Sequence, residues 1–346
     1  MRVLDALLPQ VHPDGPPSYL NSAAELLVGD VRDPVLVRRA LEGADIVIHL
    51  AAALGVGQSM YEVSRFCSVN VLGAATLLEA MIKDKVSPRR MLVASSMCLY
   101  GEGLYACAAC GPQSPGPRPP AQLAAGDWDV HCPQCDALMA ARPTPETKSL
   151  HPTSVYAINK RDQEEMFLTI GRSLRIPTLA LRFFNVYGDR QALSNPYTGV
   201  AAIFSSALLN RSRPLVFEDG RQLRDFIHVS DLVEGCVQAV AAEGIADEVF
   251  NLGTGVGTDL LSLFETLRRE IPSASLVEPE ILGRFREGDI RACYADISRA
   301  RKAFGFDPKI TLQQGVRDLA AWVAAQTTRD RSKDALRELQ AHGLVR

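Results

Sequence analysis

The chain has 346 residues, 47% of them hydrophobic and 22% charged, with a formal net charge of −3. That is ordinary globular composition and enough length for one large α/β unit or two smaller ones, and the mild acidity argues against a nucleic acid or an acidic membrane surface as partner. No apolar run reaches about 18 residues, so no membrane span is expected. With no basic-then-apolar leader at the start, a cytoplasmic location is the default expectation, in which the eight cysteines stay reduced unless they bind a metal.

Read in order, Arg2-Val3-Leu4-Asp5 is a short strand ending in an acid, followed by a Pro/Gly-rich loop over 6–24. Leu26 to Asp30 is a second strand. A helix runs from Pro34 to Leu41, with Asp33 as N-cap and proline at the first helical position. Asp45 to Ala52 is a buried strand, 61–82 a long helix containing Asn70, and Arg90 to Ser96 a further strand that runs on to Tyr100-Gly101. After an insertion come a helix beginning near Tyr156 and a strand from Thr178 to Phe184. Strands alternating with helices predict an α/β, doubly wound parallel sheet. Ligands of such sheets sit at the carboxyl ends of the strands, where Asp5, Asp30, Ala51, Ser96 and Asn185 fall. Beyond 190 the pattern is less regular: an apolar segment 200–209, strands at 214–217 and 248–252, and helices at 231–242 and 259–270. This reads as a substrate-covering region over 191–325, with a charged, loosely attached helix over 326–346.

Two groups of residues carry chemistry. In Ser154-Val155-Tyr156-Ala157-Ile158-Asn159-Lys160, tyrosine and lysine stand four apart and share a helix face. A neighbouring ammonium favours the phenolate and lowers the tyrosine pKa. Reaching neutrality from about 10 needs roughly 4 kcal/mol, more than one lysine supplies, and an oxidised nicotinamide ring would add a second positive charge. Alone, the spacing is equally that of a chance pair on a solvated helix. The second group is Cys107-Ala-Ala-Cys110 and Cys132-Pro-Gln-Cys135 within 102–147. Two such hooks read as a four-cysteine zinc ribbon with a closed, structural metal site; redox hooks, disulfides and unliganded thiols are the alternatives. The intervening Pro/Gly-rich loop could not pack a core unaided, so a metal staple accounts for it.

Val93-Ala94-Ser95-Ser96-Met97-Cys98-Leu99-Tyr100-Gly101, Pro152 to Tyr156 with Lys160, Leu181 to Gly188, Arg224 to Val229 and Arg286 to Asp289 follow one another in an order that resembles the extended short-chain dehydrogenases, the NAD-dependent epimerase/dehydratase family of nucleotide-sugar enzymes. The resemblance covers roughly 2–100 and 148–325 and implies a Rossmann-type fold, with 1–100 and 148–190 as the NAD-binding domain. It implies Ser96, Tyr156 and Lys160 as catalytic residues. It places Asp5, Asp30, Val31, Leu50, Ala51, Ala52, Asn70, Ser95 and Phe183 with Tyr156 and Lys160 around NAD, and Ser96, Asn185, Arg224, Arg286 and Cys293 around the substrate. Asp5 suits a ribose hydroxyl and repels a 2′-phosphate, favouring NAD over NADP; Asp30 could accept from the adenine amine. Arg224 and Arg286 offer planar forks for a diphosphate.

The family's first strand and its glycine-rich turn against the pyrophosphate are not found ahead of Arg2. The expectation is a natural chain with roughly 25–30 further residues that supply the central strand and turn. Without them the sheet should show open edges and a gap. The resemblance implies hydride abstraction at sugar C4. Dehydratases carry acids after the catalytic serine or threonine, whereas this chain has Met97-Cys98. A nucleotide-sugar 4-epimerase acting on a dTDP- or UDP-hexose, as a homodimer through the helices at 61–82 and 157–174, is therefore expected. A 4-keto-sugar reductase or nucleotide-sugar dehydrogenase and a non-catalytic family member are the alternatives.

Overall fold

A computed structural model describes residues 1–193, 195, 197, 199–326 and 330–346. Its main sheet has four parallel strands in the order Glu248–Leu252, Thr178–Phe183, Arg90–Ser96, Ile46–His49. Every residue of Arg90–Ser96 is buried, because helices cover both faces of a parallel sheet. Side chains alternate between the faces. Met91 and Val93 pack with Met81, Phe167 and Ala180 on one side, while Leu92 packs with Leu179, Leu232 and Phe250 on the other.

Arg2–Asp5 pairs in parallel with Glu25–Val28 as a separate two-stranded sheet. The single doubly wound sheet is thus divided into two parallel pieces that share no ladder among the described residues. The break falls where the resemblance places a central strand, and Ile48 on the open edge strand is 49% exposed.

The helix Val63–Lys83 is by length and composition apolar enough to cross a membrane; here Phe66, Ala74, Leu78 and Met81 are buried in the fold. Its turns widen to a π-helix over Cys67–Leu72. In the C-terminal half, the helices Val200–Leu209, Leu260–Glu270 and Leu312–Ala324 pack around Phe204, Phe264 and Leu319. The segment 102–147 forms three antiparallel strands, with Leu104–Cys107 between Gly111–Gln113 and Ala140–Arg142. It leaves and returns through a stitched stem: His151 N donates to Leu99 O at 3.0 Å. At Gly101, φ is +62° and an added Cβ would lie 2.4 Å from His151 O, so only glycine closes the stem without displacement.

The loose C-terminal helix is a correction. Ser332–Ala341 is docked, with Ala335 and Leu339 buried, and Tyr61 stacks on His342 with ring centres 4.4 Å apart. Glu338 accepts hydrogen bonds from Tyr61 at 3.0 Å and from Tyr197. The helix is charged on its outer side, but Ala335 and Leu339, four apart, form an inward stripe. Residues 327–329 of that expected segment, and 194, 196 and 198 of the substrate region, lie outside the described residues.

Candidate active site

A pocket of about 1000 Å³ opens at the carboxyl ends of the main-sheet strands and is lined by Ser96, Tyr156, Phe183, Asn185, Arg224 and Arg286, among others. The Tyr156 helix, Val155–Leu174, starts there. Ser154 caps it by accepting from Ala157 N at 3.1 Å, and Ser59 Oγ accepts from Tyr156 N at 3.0 Å. Two of the first-turn amides, which have no partner within a helix, are thereby satisfied and the first turn is fixed. The strand register sets Ser96 beside Phe183. The Ser96 hydroxyl accepts from Cys98 N at 3.2 Å and, with the Tyr156 phenol, lines the pocket. Lys160 is 3% exposed, and its Nζ donates to Ala94 O at 2.8 Å.

The electrostatics correct one expectation. Burial pushes the Tyr156 phenol well above its ordinary value, the nearby Cys98 thiol adds to the rise, and only the neighbouring Ser96 hydroxyl opposes it. Burial also draws the Lys160 ammonium down to about 8. Lys160 does not lower the Tyr156 pKa here, because desolvation outweighs attraction when both groups are dry. The positive charge that would favour the phenolate must come from elsewhere in the pocket.

The residues expected around a cofactor divide. Ala51 and Ala52 follow the edge strand and are half-buried, while Leu50 is 58% exposed. Val31 lies against Gly73, where a Cβ would meet it at 2.5 Å. Asp5 accepts from Leu7 N at 2.7 Å. The Asp30 carboxylate is gripped by Arg32 at 2.9 and 2.6 Å, which lowers its pKa; it is not the free adenine acceptor expected. Asn70 is fully buried and turned to the main chain of Ala53, accepting from its N–H at 2.7 Å and donating to its carbonyl at 3.1 Å. Ser95 donates to Glu164 at 2.5 Å, a residue of the same helix two turns beyond Tyr156 and itself paired with Arg182 at 2.5 Å. The side chains of Asn70 and Ser95 are therefore already used to hold loop and helix in place, because a fully buried amide or hydroxyl takes the nearest partner.

Among the substrate residues, Arg224 and Arg286 converge on half-buried Asp289 at 2.9 and 2.7 Å, whose carboxyl they hold far below the carboxylate range against desolvation. Arg286 also lies over the Phe217 ring at 4.6 Å. Gly288, at φ +78°, lets this turn close on the catalytic helix, for a Cβ would lie 2.6 Å from Thr153 O. Cys293 is a correction: it is 1% exposed, with its sulfur 3.8 Å from Thr144 Oγ1. Its strand Ala292–Cys293 pairs with Leu223–Arg224, which turns the thiol into the core. Cys98 lines the pocket instead. Nothing in the spacing of Cys98 marked it, although its place directly after Ser96-Met97 could have.

The four insertion cysteines come together, with the sulfurs of Cys107, Cys110, Cys132 and Cys135 all within 4.8 Å of one another. Cys107 and Cys135 are 3.5 Å apart. Four thiolates at about 2.3 Å around one zinc ion would be spaced about 3.8 Å.

The nicotinamide end of an NAD site fits the residues present. Ser96, Tyr156 and Phe183 converge there, and Asn185 Oδ1 is a buried pocket atom without a hydrogen-bond partner. A glycine-rich turn for the pyrophosphate is not among the described residues.

The sequence profile of the NAD dependent epimerase/dehydratase family matches residues 7–118, and that of GDP-mannose 4,6 dehydratase matches 138–319. The dTDP-L-rhamnose 4-epimerase of Burkholderia thailandensis is 34% identical over 330 residues, spanning 94% of this chain and 89% of that protein. The chain belongs to the NAD-dependent epimerase/dehydratase family. The UDP-glucose 4-epimerase of Thermotoga maritima, solved with UDP-glucose, matches it with a TM-score of 0.73 and 27% identity over 93% of this chain and 90% of the other. MoeE5, solved with UDP-glucuronic acid and NAD, matches with a TM-score of 0.70 and 25% identity over 89% and 88%. As a member of this family the chain carries the serine–tyrosine pair at a sheet end shared by both solved relatives' fold.

The depressed Lys160 pKa links folding to pH. The ammonium is disfavoured in the native state, so its penalty is complete below about 8 and fades as pH rises from there toward the unfolded value of about 10.5. Urea titrations should show wild type gaining stability relative to Lys160→Met between about pH 7 and pH 9.5. A constant difference would place the Lys160 pKa outside that window.

Proposed function

We propose that the chain is a nucleotide-sugar 4-epimerase, with Tyr156 and Ser96 at the sugar and Arg224 and Arg286 at the nucleotide diphosphate. The observation that carries the reading is a pocket whose wall brings Ser96 and Tyr156 together with two arginines, Arg224 and Arg286. Tyr156 takes the proton of the C4 hydroxyl, and Ser96 shares it and holds the sugar oxygen in line. Lys160, anchored on Ala94 O, shares the helix face of Tyr156 and would hold the nicotinamide ribose. When bound, NAD would supply a hydride acceptor for C4 and give the hydride back, so that no net oxidation results. Asn185 Oδ1 offers a buried, unpartnered acceptor in the same pocket. Dehydratases of the family carry acids after the catalytic serine or threonine, and Met97 and Cys98 stand there instead. Epimerisation needs only the pair. The likeness to the Burkholderia enzyme points to dTDP-linked 6-deoxyhexoses before UDP-hexoses.

Asp5 fits an NAD rather than NADP ribose, and the domain limits read from the sequence are retained. The insertion sulfurs are assigned a structural zinc ion. The exposed apolar residues Val63, Leu72, Ile82 and Ile158 on the two long helices suit a homodimer, and a cytoplasmic setting suits four reduced thiols.

Incubation with NAD and dTDP- or UDP-sugars should give the C4-inverted sugar without a net change in nicotinamide absorbance. Tyr156→Phe should lower kcat by about 10²–10⁴. Net NAD reduction would assign a dehydrogenase, and net NADH consumption a keto-sugar reductase. Elemental analysis should find one zinc per chain, lost in Cys107→Ser/Cys132→Ser; a metal-free protein with blocked thiols would sink the zinc assignment. Light scattering should give twice the chain mass, and a monomer would remove the dimer.

A further inference from the structure

The insertion is fastened to the rest of the chain by buried charge. Arg118 leaves the loop between the two cysteine hooks and is 2% exposed at its side chain. It makes a two-pronged contact with Glu218, Nη2 to Oε1 at 2.8 Å and Nη1 to Oε2 at 3.0 Å. Nη1 also donates to Trp128 O at 2.8 Å, and Nε lies 3.3 Å from Glu102 Oε1. Glu218 follows Phe217, the ring under Arg286. Glu102 in turn accepts from the backbone N–H groups of Arg291 and Ala292 at 2.8 and 3.2 Å. Arg291 bridges Asp219 at 2.6 Å and insertion residue Asp129 at 2.9 Å. Both stretches that present the diphosphate arginines, 217–224 and 286–291, are thus backed by the insertion.

The charges explain why the backing matters. Asp289 is the acid that Arg224 and Arg286 hold, and Glu218 and Glu102 are buried acids on or against the stretches that carry those arginines. Unneutralised, Glu218 and Glu102 would leave buried charge under those stretches and loosen them. Arg118 answers Glu218 and Glu102, and its charge also reaches Asp289. A planar fork is the group suited to a two-oxygen contact of this kind.

We propose that Arg118, carried by the four-cysteine insertion, is a positioning residue for the nucleotide-diphosphate subsite, so that the folding of the insertion around its metal sets how tightly the nucleotide half of the substrate is held. This rests on the nucleotide-sugar reading of the pocket. Arg118 itself does not line the pocket.

Calorimetry of dTDP and UDP binding to the full chain separates the two readings, because it needs neither turnover nor NAD. If wild type binds neither nucleotide, the nucleotide-sugar reading falls. If it binds, Arg118→Met should weaken the affinity about tenfold or more, with the zinc content unchanged. Arg118→Lys, which keeps the charge without the fork, should recover part of the loss. Chelation of the zinc from wild type should weaken nucleotide binding in the same direction. In turnover, the loss should appear in KM with kcat within about twofold. Equal nucleotide affinity in wild type, Arg118→Met and chelated protein would overturn the proposal. So would an equal loss in the methionine and lysine variants accompanied by loss of zinc, since that would mark Arg118 as a folding residue of the ribbon alone.

Discussion

The catalytic helix packs a polar face against the sheet over its first half, and only from Phe167 onward does that face turn apolar. Tyr156, Asn159, Lys160, Gln163 and Glu164 are all less than one-tenth exposed. Helices on sheets normally bury apolar stripes; here each polar group needs a named partner, since an unmet buried one costs about 1–3 kcal/mol. Ala94 O meets Lys160 Nζ, Asn70 O meets Gln163 Nε2, Cys67 Sγ meets Asn159 Nδ2, and Ser95 and Arg182 meet Glu164, while Asn159 Oδ1 and Gln163 Oε1 are left without a partner. These partners come from the strand Arg90–Ser96, its neighbour Thr178–Phe183 and the widened turns of Val63–Lys83. The helix can therefore sit at one rotation and one height. That single seating delivers the phenol to the pocket, and everything else in the site is arranged around where it points.

The same requirement explains what the sequence revealed. Tyr156 and Lys160 are four apart on one helix, and that spacing survives any packing. Ser96 is readable because a serine at a strand end in a doubly wound sheet faces the ligand crevice. The chemistry of Ser95 and Asn70 was legible as polar, but their direction was not. Whether a buried hydroxyl meets a ligand or a carboxylate one layer down depends on the depth at which the helix sits, and no local pattern encodes that. Cys293 and Cys98 exchanged places for a similar reason, since the pairing of Ala292–Cys293 with Leu223–Arg224 decides which thiol faces inward. Arg118 was invisible, being one arginine in a Pro/Gly-rich loop whose two-pronged partner, Glu218, lies 100 residues away.

The fold likewise kept the features set by local alternation and shifted those set by pairing. The apolar runs at 46–49, 90–96, 178–183 and 248–252 became the four strands. The first two strands pair with each other, apart from those four. Edges of this kind are where backbone groups seek partners, and the open side of Ile46–His49 is the least satisfied part of the main sheet.

The stitched stem at Gly101 and His151 makes the insertion look like a cassette, closed at its base and free to fold by itself. The buried pair at its tip gives it a different place in time. All four cysteines have been synthesised once residue 135 is made, whereas Glu218 lies 100 positions after Arg118 and Asp289 lies 171 after it. Contacts so distant in sequence form late. The hooks can capture their metal while the C-terminal half is still being synthesised, and Arg118 then waits, unpaired and hydrated, for its acid. The last event in assembling the nucleotide subsite would be the docking of an already finished module, which makes the order of synthesis part of how the site is built.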